Sequence, residues 1–291
     1  MACPTTGRPR SAGTRPPRAR AATRVAPLLY IRAMPDEAVA ALSGLVASFL
    51  SGLLGIGGGL VLTPLLLYLP PLLGASALPV KIVTGLTIVQ AMSGSILGTI
   101  RHRRYGNVSM RIVWLMGPTS AAASLVGALV SRDTPDRVLL LIFAVLALAG
   151  AVMLLLPVTP RPGTASDVEV NRPLAVALAL LIGFFGGMVG IAGIAFVIAA
   201  LVYLLRVPPR IAIGTSLGVG LFAAVAGIVG KAATAQIDPP LAAIVFVAAL
   251  VASPAGAAVS VRTQPRLLLA ILAAVVAAAA IRIVITALTG Q

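Results

Sequence analysis

A run of glycines interrupts an apolar stretch, SGLLGIGGGLVLTPLLL, at residues 51–67. The glycines are Gly55, Gly57, Gly58 and Gly59. Glycine costs about 1 kcal/mol relative to alanine inside a helix, so the run predicts a break followed by a new helix near Leu60. The unpaired N–H groups at a helix start, together with the positive end of the helix dipole, form a surface suited to binding an anion.

A second, weaker copy of this pattern lies in the stretch GGMVGIAGIAFVIAALVY. Here Gly190, Ala192 and Gly193 precede a helix expected to begin near Ala195. Close helix packing is the alternative explanation, since small residues four apart let membrane helices approach each other. Packing accounts for the spaced glycines, but it accounts poorly for three consecutive ones.

Polar side chains inside the segments that follow could add contacts to a ligand. They are Thr84, Thr87, Gln90 and Ser93 in the first half of the chain, and Thr215 and Ser216 in the second. A serine or threonine hydroxyl can instead bond to its own helix backbone. The amide of Gln90 needs partners across helices or in water. Arg282, near the end of the last apolar segment, either extends toward the membrane surface or serves an anion.

The composition indicates a membrane protein with several spans. Of 291 residues, 59% are hydrophobic and only 10% are charged, whereas soluble domains have about a quarter charged residues. Apolar runs of membrane-spanning length recur along the chain. The net charge of +15 does not indicate nucleic-acid binding, because many of the arginines are concentrated in one terminal tail.

The residue inventory argues against an enzyme and against a metal or organic cofactor. The chain has one cysteine and one histidine, Cys3 and His102. Each of its seven acidic residues falls at the end of an apolar segment or in a connection between segments. The bilayer segments therefore lack a carboxylate that could act as a general acid or base, and they lack the carboxylates that could bind a metal ion. We predict no catalytic residue, no metal site and no cofactor.

The apolar segments fall into two groups of five, separated by the polar stretch TPRPGTASDVEVNRP. They cover about 37–54, 60–73, 83–100, 112–131, 138–157, 174–189, 195–205, 211–230, 240–260 and 267–288. We predict an all-α polytopic membrane protein of two homologous halves, with 8–10 membrane segments and glycine-broken helices. The first repeat is placed at 36–158, the polar linker at 159–173 and the second repeat at 174–288.

The two halves align in register. A shift of 135 residues superposes the glycine runs, and a shift of 129 superposes the later segments. The matched pairs include Gly52/Gly187, Gly55/Gly190, Gly58/Gly193, Gly85/Gly214, Gly98/Gly227, Ser124/Ser253 and Gly127/Gly256. Chance similarity between alanine-leucine sequences does not align glycines in order, so the pattern indicates a duplication.

Loop charges favour inverted rather than parallel repeats. If each glycine-containing pair of segments is a hairpin, the inverted arrangement places ten loop cations on the cytoplasmic side and four outside. The four are Lys81, Arg132, Arg137 and Lys231. The parallel arrangement divides the same residues seven and seven.

Residues 1–35 form a tail rich in arginine and proline, which we expect to be disordered. Met34 directly precedes the first apolar segment, so translation could also begin there. The tail is either dispensable or binds anionic lipid.

The doubled glycine motif resembles the sulfite exporter TauE/SafE family, also called the sulfonate uptake permeases. The first copy runs from Gly52 to Pro64 as GxxGIGGGxxxxP. The second has Ile194 and Ala199 in place of the first copy's last glycine and proline. The stretches KIVTGLTIVQAMSGSILGTIRHRRYGNVS and RIAIGTSLGVG are also similar to the family's pattern, and the resemblance covers about residues 36–288.

The resemblance implies transport of a small sulfur-containing anion, such as sulfite, thiosulfate or an organosulfonate, across the bacterial inner membrane. The expected partners are a small anionic solute and the lipid bilayer, without nucleic acid; the oligomeric state is left open. The alternatives are a non-transporting membrane assembly or scaffold protein and an intramembrane enzyme. The expected binding residues are Gly55, Gly57, Gly58, Gly59, Thr87, Gln90, Gly190, Gly193, Thr215 and Ser216.

The inverted arrangement predicts where equivalent loops lie. Cysteines introduced at Gly106 and Ala235 should react with a membrane-impermeant thiol reagent from opposite faces of sealed vesicles. Labelling of both positions from one face would establish parallel repeats. A cysteine-free background, Cys3→Ser, provides the control for specific labelling.

Overall fold

The computed structural model describes residues 35–54, 58–155 and 170–260, together with 274, 277, 278 and 280–285 of the last apolar segment. The predicted tail, Gly55, Gly57 and most of the predicted linker lie outside these residues. The helices are α1 (Asp36–Leu54), α2 (Gly59–Leu72), α3 (Val80–Arg104), α4 (Met110–Val130), α5 (Asp136–Leu155), α6 (Arg172–Val189), α7 (Ile194–Ala199), α8 (Pro209–Ala233) and α9 (Pro239–Ser260). A π-helical turn, Ala200–Leu204, continues α7.

The prediction of an all-α polytopic membrane protein is confirmed. Six of the helices in the described part of the chain are long and apolar enough to cross a membrane: α1, α3, α4, α6, α8 and α9. Two shorter apolar helices, Gly59–Leu72 and Ile194–Leu204, follow the two glycine patterns. The helices α3 and α8 extend beyond their predicted apolar segments, so that Lys231 lies within α8.

Both glycine patterns break the helix as predicted. Gly58 has φ +67° and immediately precedes α2, which begins at Gly59. Gly190 has φ +80° and ends α6, and Gly193 has φ +66° and precedes α7. Positive φ is strained for residues with a side chain, which is the local reason for glycine at these positions.

The chain reverses direction at the first break. Beyond the end of α2, Ser76 returns to the start of α1, where its Oγ donates to Asp36 Oδ2 at 2.5 Å and its backbone N donates to Asp36 Oδ1 at 3.1 Å. At the second break, Gly193 packs against Ile182 and Gly186 of α6. Each glycine pattern therefore forms the turn of a hairpin made by one long and one short helix.

Glycines set the contacts between the two halves of the chain. A Cβ on Gly52 of α1 would fall on the carbonyl oxygen of Ser253 of α9. Further toward the start of α1, Gly44 packs against Val245 and Ala248 of α9. The two helices therefore run side by side in the same direction. Backbone approach this close is typical of small-residue interfaces between membrane helices.

The same contact occurs a second time with the halves exchanged. A Cβ on Gly187 of α6 would fall on the carbonyl oxygen of Ser124 of α4, and one on Gly127 would fall on that of Phe184. These residues align with those of the α1–α9 contact in the repeat register. The first helix of each half therefore packs on the fourth apolar segment of the other half.

The central helices α3 and α8 follow the same reciprocal pattern and are the most buried of the six long helices. Gly98 of α3 packs against Leu217 of α8, and Gly227 of α8 packs against Ile88 of α3. Gly85 meets the carbonyl of Gln236, just as its counterpart Gly214 meets the carbonyl of Asn107. The candidate polar residues of the first half lie on α3, at the centre of this arrangement.

These contacts predict that alanine substitution changes the stability of the fold by different amounts at two glycines of similar exposure. Gly52→Ala should destabilise the fold by about 2 kcal/mol because its methyl group overlaps a backbone carbonyl that cannot move independently. Gly94→Ala, whose Cβ would find only Ser51 Oγ at 4.0 Å, should be neutral or slightly stabilising. Thermal unfolding of the purified variants in one detergent checks this. Equal unfolding temperatures would contradict the packing account.

Candidate functional site at the two helix breaks

The first break is held by side chains of α1 and α3. Gly58 lies against Gln90, because a Cβ on Gly58 would be 2.9 Å from the amide carbon of Gln90. The Gln90 amide nitrogen donates to Gly58 O at 3.3 Å, and its oxygen accepts from Ser48 Oγ at 2.9 Å and Ser48 N at 3.2 Å. This orientation is assigned from the donors and acceptors around the amide. Gln90 therefore has the cross-helix partners that an amide in hydrocarbon requires.

The second break rests on the same central helix, one to two turns closer to its start. A Cβ on Gly190 would fall on the carbonyl oxygen of Thr84 and lie 2.6 Å from Thr87 Oγ1. The Thr87 hydroxyl donates to Thr84 O at 3.0 Å. Glycine is thus required at position 190 both by its positive φ and by close approach to α3.

The two breaks also touch each other. A Cβ on Gly59, at the start of α2, would lie 3.2 Å from Cα of Ile191, between Gly190 and Gly193. Five of the predicted binding residues are therefore brought together along α3: Gly58, Gly59, Thr87, Gln90 and Gly190.

Ser95 adds a buried hydroxyl beside the start of α7. Its side chain is fully buried, and its Oγ has no hydrogen-bond partner among the described residues. A Cβ on Gly220 would touch both Ile194 and this oxygen, the latter at 3.5 Å.

The remaining polar residues bond to or contact protein groups outside the two breaks. Thr215 Oγ1 accepts from Ser109 N at 3.0 Å and thereby holds the residue before α4. Ser216, the repeat counterpart of Thr87, donates to Ile213 O at 2.8 Å. Ser93 likewise donates to Val89 O, in its own helix. Arg282 is exposed and lies over the ring of Tyr68, 4.5 Å from its centre.

Lys231 is the residue of this region that sequence reasoning missed. The charge count treats it as a loop cation, but α8 carries it inward, and it is fully buried. Its three N–H groups are shared among four acceptors, at 2.9 Å from Nζ for Thr84 Oγ1, 3.1 Å for Met188 O, 3.1 Å for Gln236 Oε1 and 3.2 Å for Ser131 Oγ. The helical pattern has no stop before Ala233, so the sequence could have placed this lysine within the helix, but not on its buried side.

These four acceptors come from both halves and from the second break. Thr84 and Ser131 belong to the first half, and Gln236 to the second. Met188 lies two residues before Gly190 in the chain, and Gly190 in turn contacts the carbonyl oxygen of Thr84. Lys231 is therefore adjacent to the break, and it is the one fully buried charged side chain in the described part of the chain.

The contacts of Gln90 generate a stability prediction. Gln90→Met should destabilise the protein by about 1–3 kcal/mol, because the buried Ser48 hydroxyl loses its acceptor and Gly58 O, which keeps Val61 N and Leu62 N as donors, loses its bond to α3. Ser93→Ala, on the same helix, should change stability by less than about 0.5 kcal/mol because that hydroxyl bonds only its own helix backbone. Thermal unfolding in detergent measures both. A Gln90→Met protein as stable as Ser93→Ala would contradict the assigned bonds.

Comparison with known proteins identifies the family. The family model "Sulfite exporter TauE/SafE" matches residues 40–283. "Probable membrane transporter protein YunE" of Bacillus subtilis is 22% identical over 79% of this chain and 90% of its own length. A "Probable membrane transporter protein" of Xylella fastidiosa strain Temecula1 is 31% identical over 62% of this chain and 68% of its own.

"Probable membrane transporter protein YjnA" of Bacillus subtilis is 23% identical over 84% of this chain and 98% of its own length. No solved structure matches. The family match spans the glycine hairpins and the central helices that form the site. This multi-pass membrane protein therefore belongs to the TauE/SafE sulfite exporter family.

Proposed function

We propose that this membrane transporter carries a small anion, of the sulfur-containing class that includes sulfite, thiosulfate and organosulfonates, through the junction of its two glycine breaks. The observation that carries the proposal is the contact between the breaks, where Gly59 lies against Ile191 beside Gln90. The family description supports the sulfur-containing class.

The chemistry of the junction favours an anion. The start of α2 presents N–H groups that lack a carbonyl partner in their own helix, and its dipole adds positive potential. Discontinuous membrane helices that meet in this way form solute sites in other transporters. Metal-ligand clusters of three or more His, Cys, Asp or Glu are absent from the described residues.

We propose that the two halves are inverted repeats that alternate access around the junction. The reciprocal contacts of α1 with α9 and of α4 with α6 support a two-fold relation between the halves, since such a relation produces each contact twice. The hairpin at the first break supports an odd number of crossings in each half. Because Lys231 is buried, three of the four outside cations remain near the ends of the helices, Lys81 and Arg137 in the first turns of α3 and α5 and Arg132 in the connection after α4, which strengthens the charge asymmetry.

The expected setting is the bacterial inner membrane, with the solute and lipid as partners and no cofactor. A non-transporting scaffold protein is the second candidate, and an intramembrane enzyme the third. Uptake of radiolabelled sulfite, thiosulfate, taurine and sulfoacetate into proteoliposomes separates them. A transporter moves the solute unchanged, an enzyme alters it, and a scaffold does neither.

Substitution of the two positive-φ glycines tests the junction. Gly58→Val and Gly193→Val should abolish flux while leaving the protein inserted, because valine is strained at φ +67° and +66° and meets Gln90 or Ile182. Gly58→Val should also weaken anion binding, whereas Gly193→Val should mainly hinder conformational exchange. Calorimetry measures binding, and uptake into liposomes measures flux.

Gly106→Val is the matched control. It has a similar φ of +69°, but its Cβ meets nothing within 4 Å, so it reports backbone strain away from the junction. Its flux should remain close to that of the unsubstituted protein. Normal flux in Gly58→Val would remove the support for a site at the breaks and leave helix packing as the reason for these glycines.

A further inference from the structure

We propose that the ammonium group of Lys231 is the positive charge that binds the anion during transport. The inference rests on the proposed function, since it assigns a specificity-determining residue to the same junction. Its starting point is the geometry of a buried lysine that holds four neutral oxygens beside the second break.

The surroundings of Lys231 satisfy its hydrogen bonds but leave its charge uncompensated. All four acceptors are hydroxyl, amide or backbone oxygens. The neighbouring charge that acts on it is another cation, Lys81. A buried charge is costly unless it is paired with an opposite one, so this site favours the arrival of an anion.

The acceptors can release the lysine without losing their own donor bonds. The Thr84 hydroxyl also donates to Lys81 O at 2.8 Å. The Ser131 hydroxyl also bonds to Ala128 O at 2.6 Å. An anion can therefore replace one or two neutral oxygens at the ammonium group without leaving a buried hydroxyl proton unpaired.

The end of α3 nearest to Lys231 also carries a partly exposed cationic group. Lys81, at the start of α3, is partly exposed, and its Nζ bonds to the carbonyl oxygen of Arg132, an exposed residue after α4. Exposed cations raise the local concentration of an anion at an entrance. Lys231 bonds to Thr84, which lies three residues after Lys81 on the same helix.

Anion binding at Lys231 would also act on the contact between the halves. Its acceptors lie on α3, at the end of α4, at the end of α6 and in the connection before α9. Withdrawing the ammonium from any of them removes a cross-link at the second break. The competing explanation is that Lys231 only holds these helices together and binds no anion. The following experiment distinguishes the two roles.

The test measures binding of thiosulfate, sulfite, sulfate and taurine by calorimetry on the full chain in lipid nanodiscs. Lys231→Gln should weaken binding of at least one anion by about 30-fold, the loss expected for one charge-assisted contact. Lys231→Arg, which keeps the charge, should stay within about tenfold. Lys81→Gln should change affinity by less than about threefold at physiological salt, since an exposed charge is screened.

Two hydroxyl variants separate binding from cross-linking. Thr84→Val and Ser131→Ala remove neutral acceptors and leave the lysine, so anion affinity should be unchanged or higher. This expectation stands even if Lys231→Gln does not fold. A loss of affinity in the hydroxyl variants equal to that in Lys231→Gln would establish a structural cross-link and overturn the inference, as would unchanged binding in a folded Lys231→Gln protein.

Flux in liposomes keeps the two proposals apart. If the unsubstituted protein binds an anion through Lys231 but moves none of the four, the transport proposal fails and the assignment of Lys231 stands. If it transports an anion and Lys231→Gln does so equally well, the assignment fails and the transport proposal stands. Absence of both binding and flux in the unsubstituted protein overturns both.

Discussion

The need to pair backbone groups inside a membrane governs this structure. A helix that ends within the bilayer frees N–H and C=O groups for which lipid offers no partner, at several kcal/mol each. Both glycine breaks therefore lie against protein, and the helix that supports them is α3. Its Gln90 serves the first break, while Thr84 and Thr87 line the second. These three residues of α3 are explained by this task before any solute is considered.

Close backbone packing supplies the rigidity around the breaks. Lipid gives apolar helices little reason to associate, so small residues that bring two backbones together must provide the contact. Gly52 against Ser253 and Gly187 against Ser124 do this in equivalent places. The breaks are thus held between two matching interfaces.

The duplicated halves share their backbone contacts but not their chemistry. Gly85 and Gly214 make the same approach to a neighbouring carbonyl, yet Gln90 aligns with Val219 and Lys231 with His102 in the repeat register. Lys231 lies fully buried beside the second break, whereas His102 is part-exposed in the last turn of α3. The charge that an anion could meet is therefore concentrated on one side of a nearly symmetric frame.

The sequence by itself determined the all-α membrane class, the positions of both breaks and the register of the two halves. These follow from local properties: apolar length, the poor fit of glycine in a helix and the order of the matched residues. It also placed Gln90 among the residues needing partners, because an amide in hydrocarbon cannot remain unpaired. The partners themselves, Ser48 and Gly58, became visible only in the folded chain.

Only the tertiary structure decided which candidates meet. Gly59 contacts Ile191 and so joins the two breaks, whereas Thr215 bonds to Ser109 instead. Both outcomes depend on contacts between residues far apart in the chain. Lys231 is the clearest case. A lysine one residue beyond an apolar run has the same local signature whether it faces water or the interior. Its burial follows from how α3, α4 and α6 close around the end of α8, which no local pattern encodes.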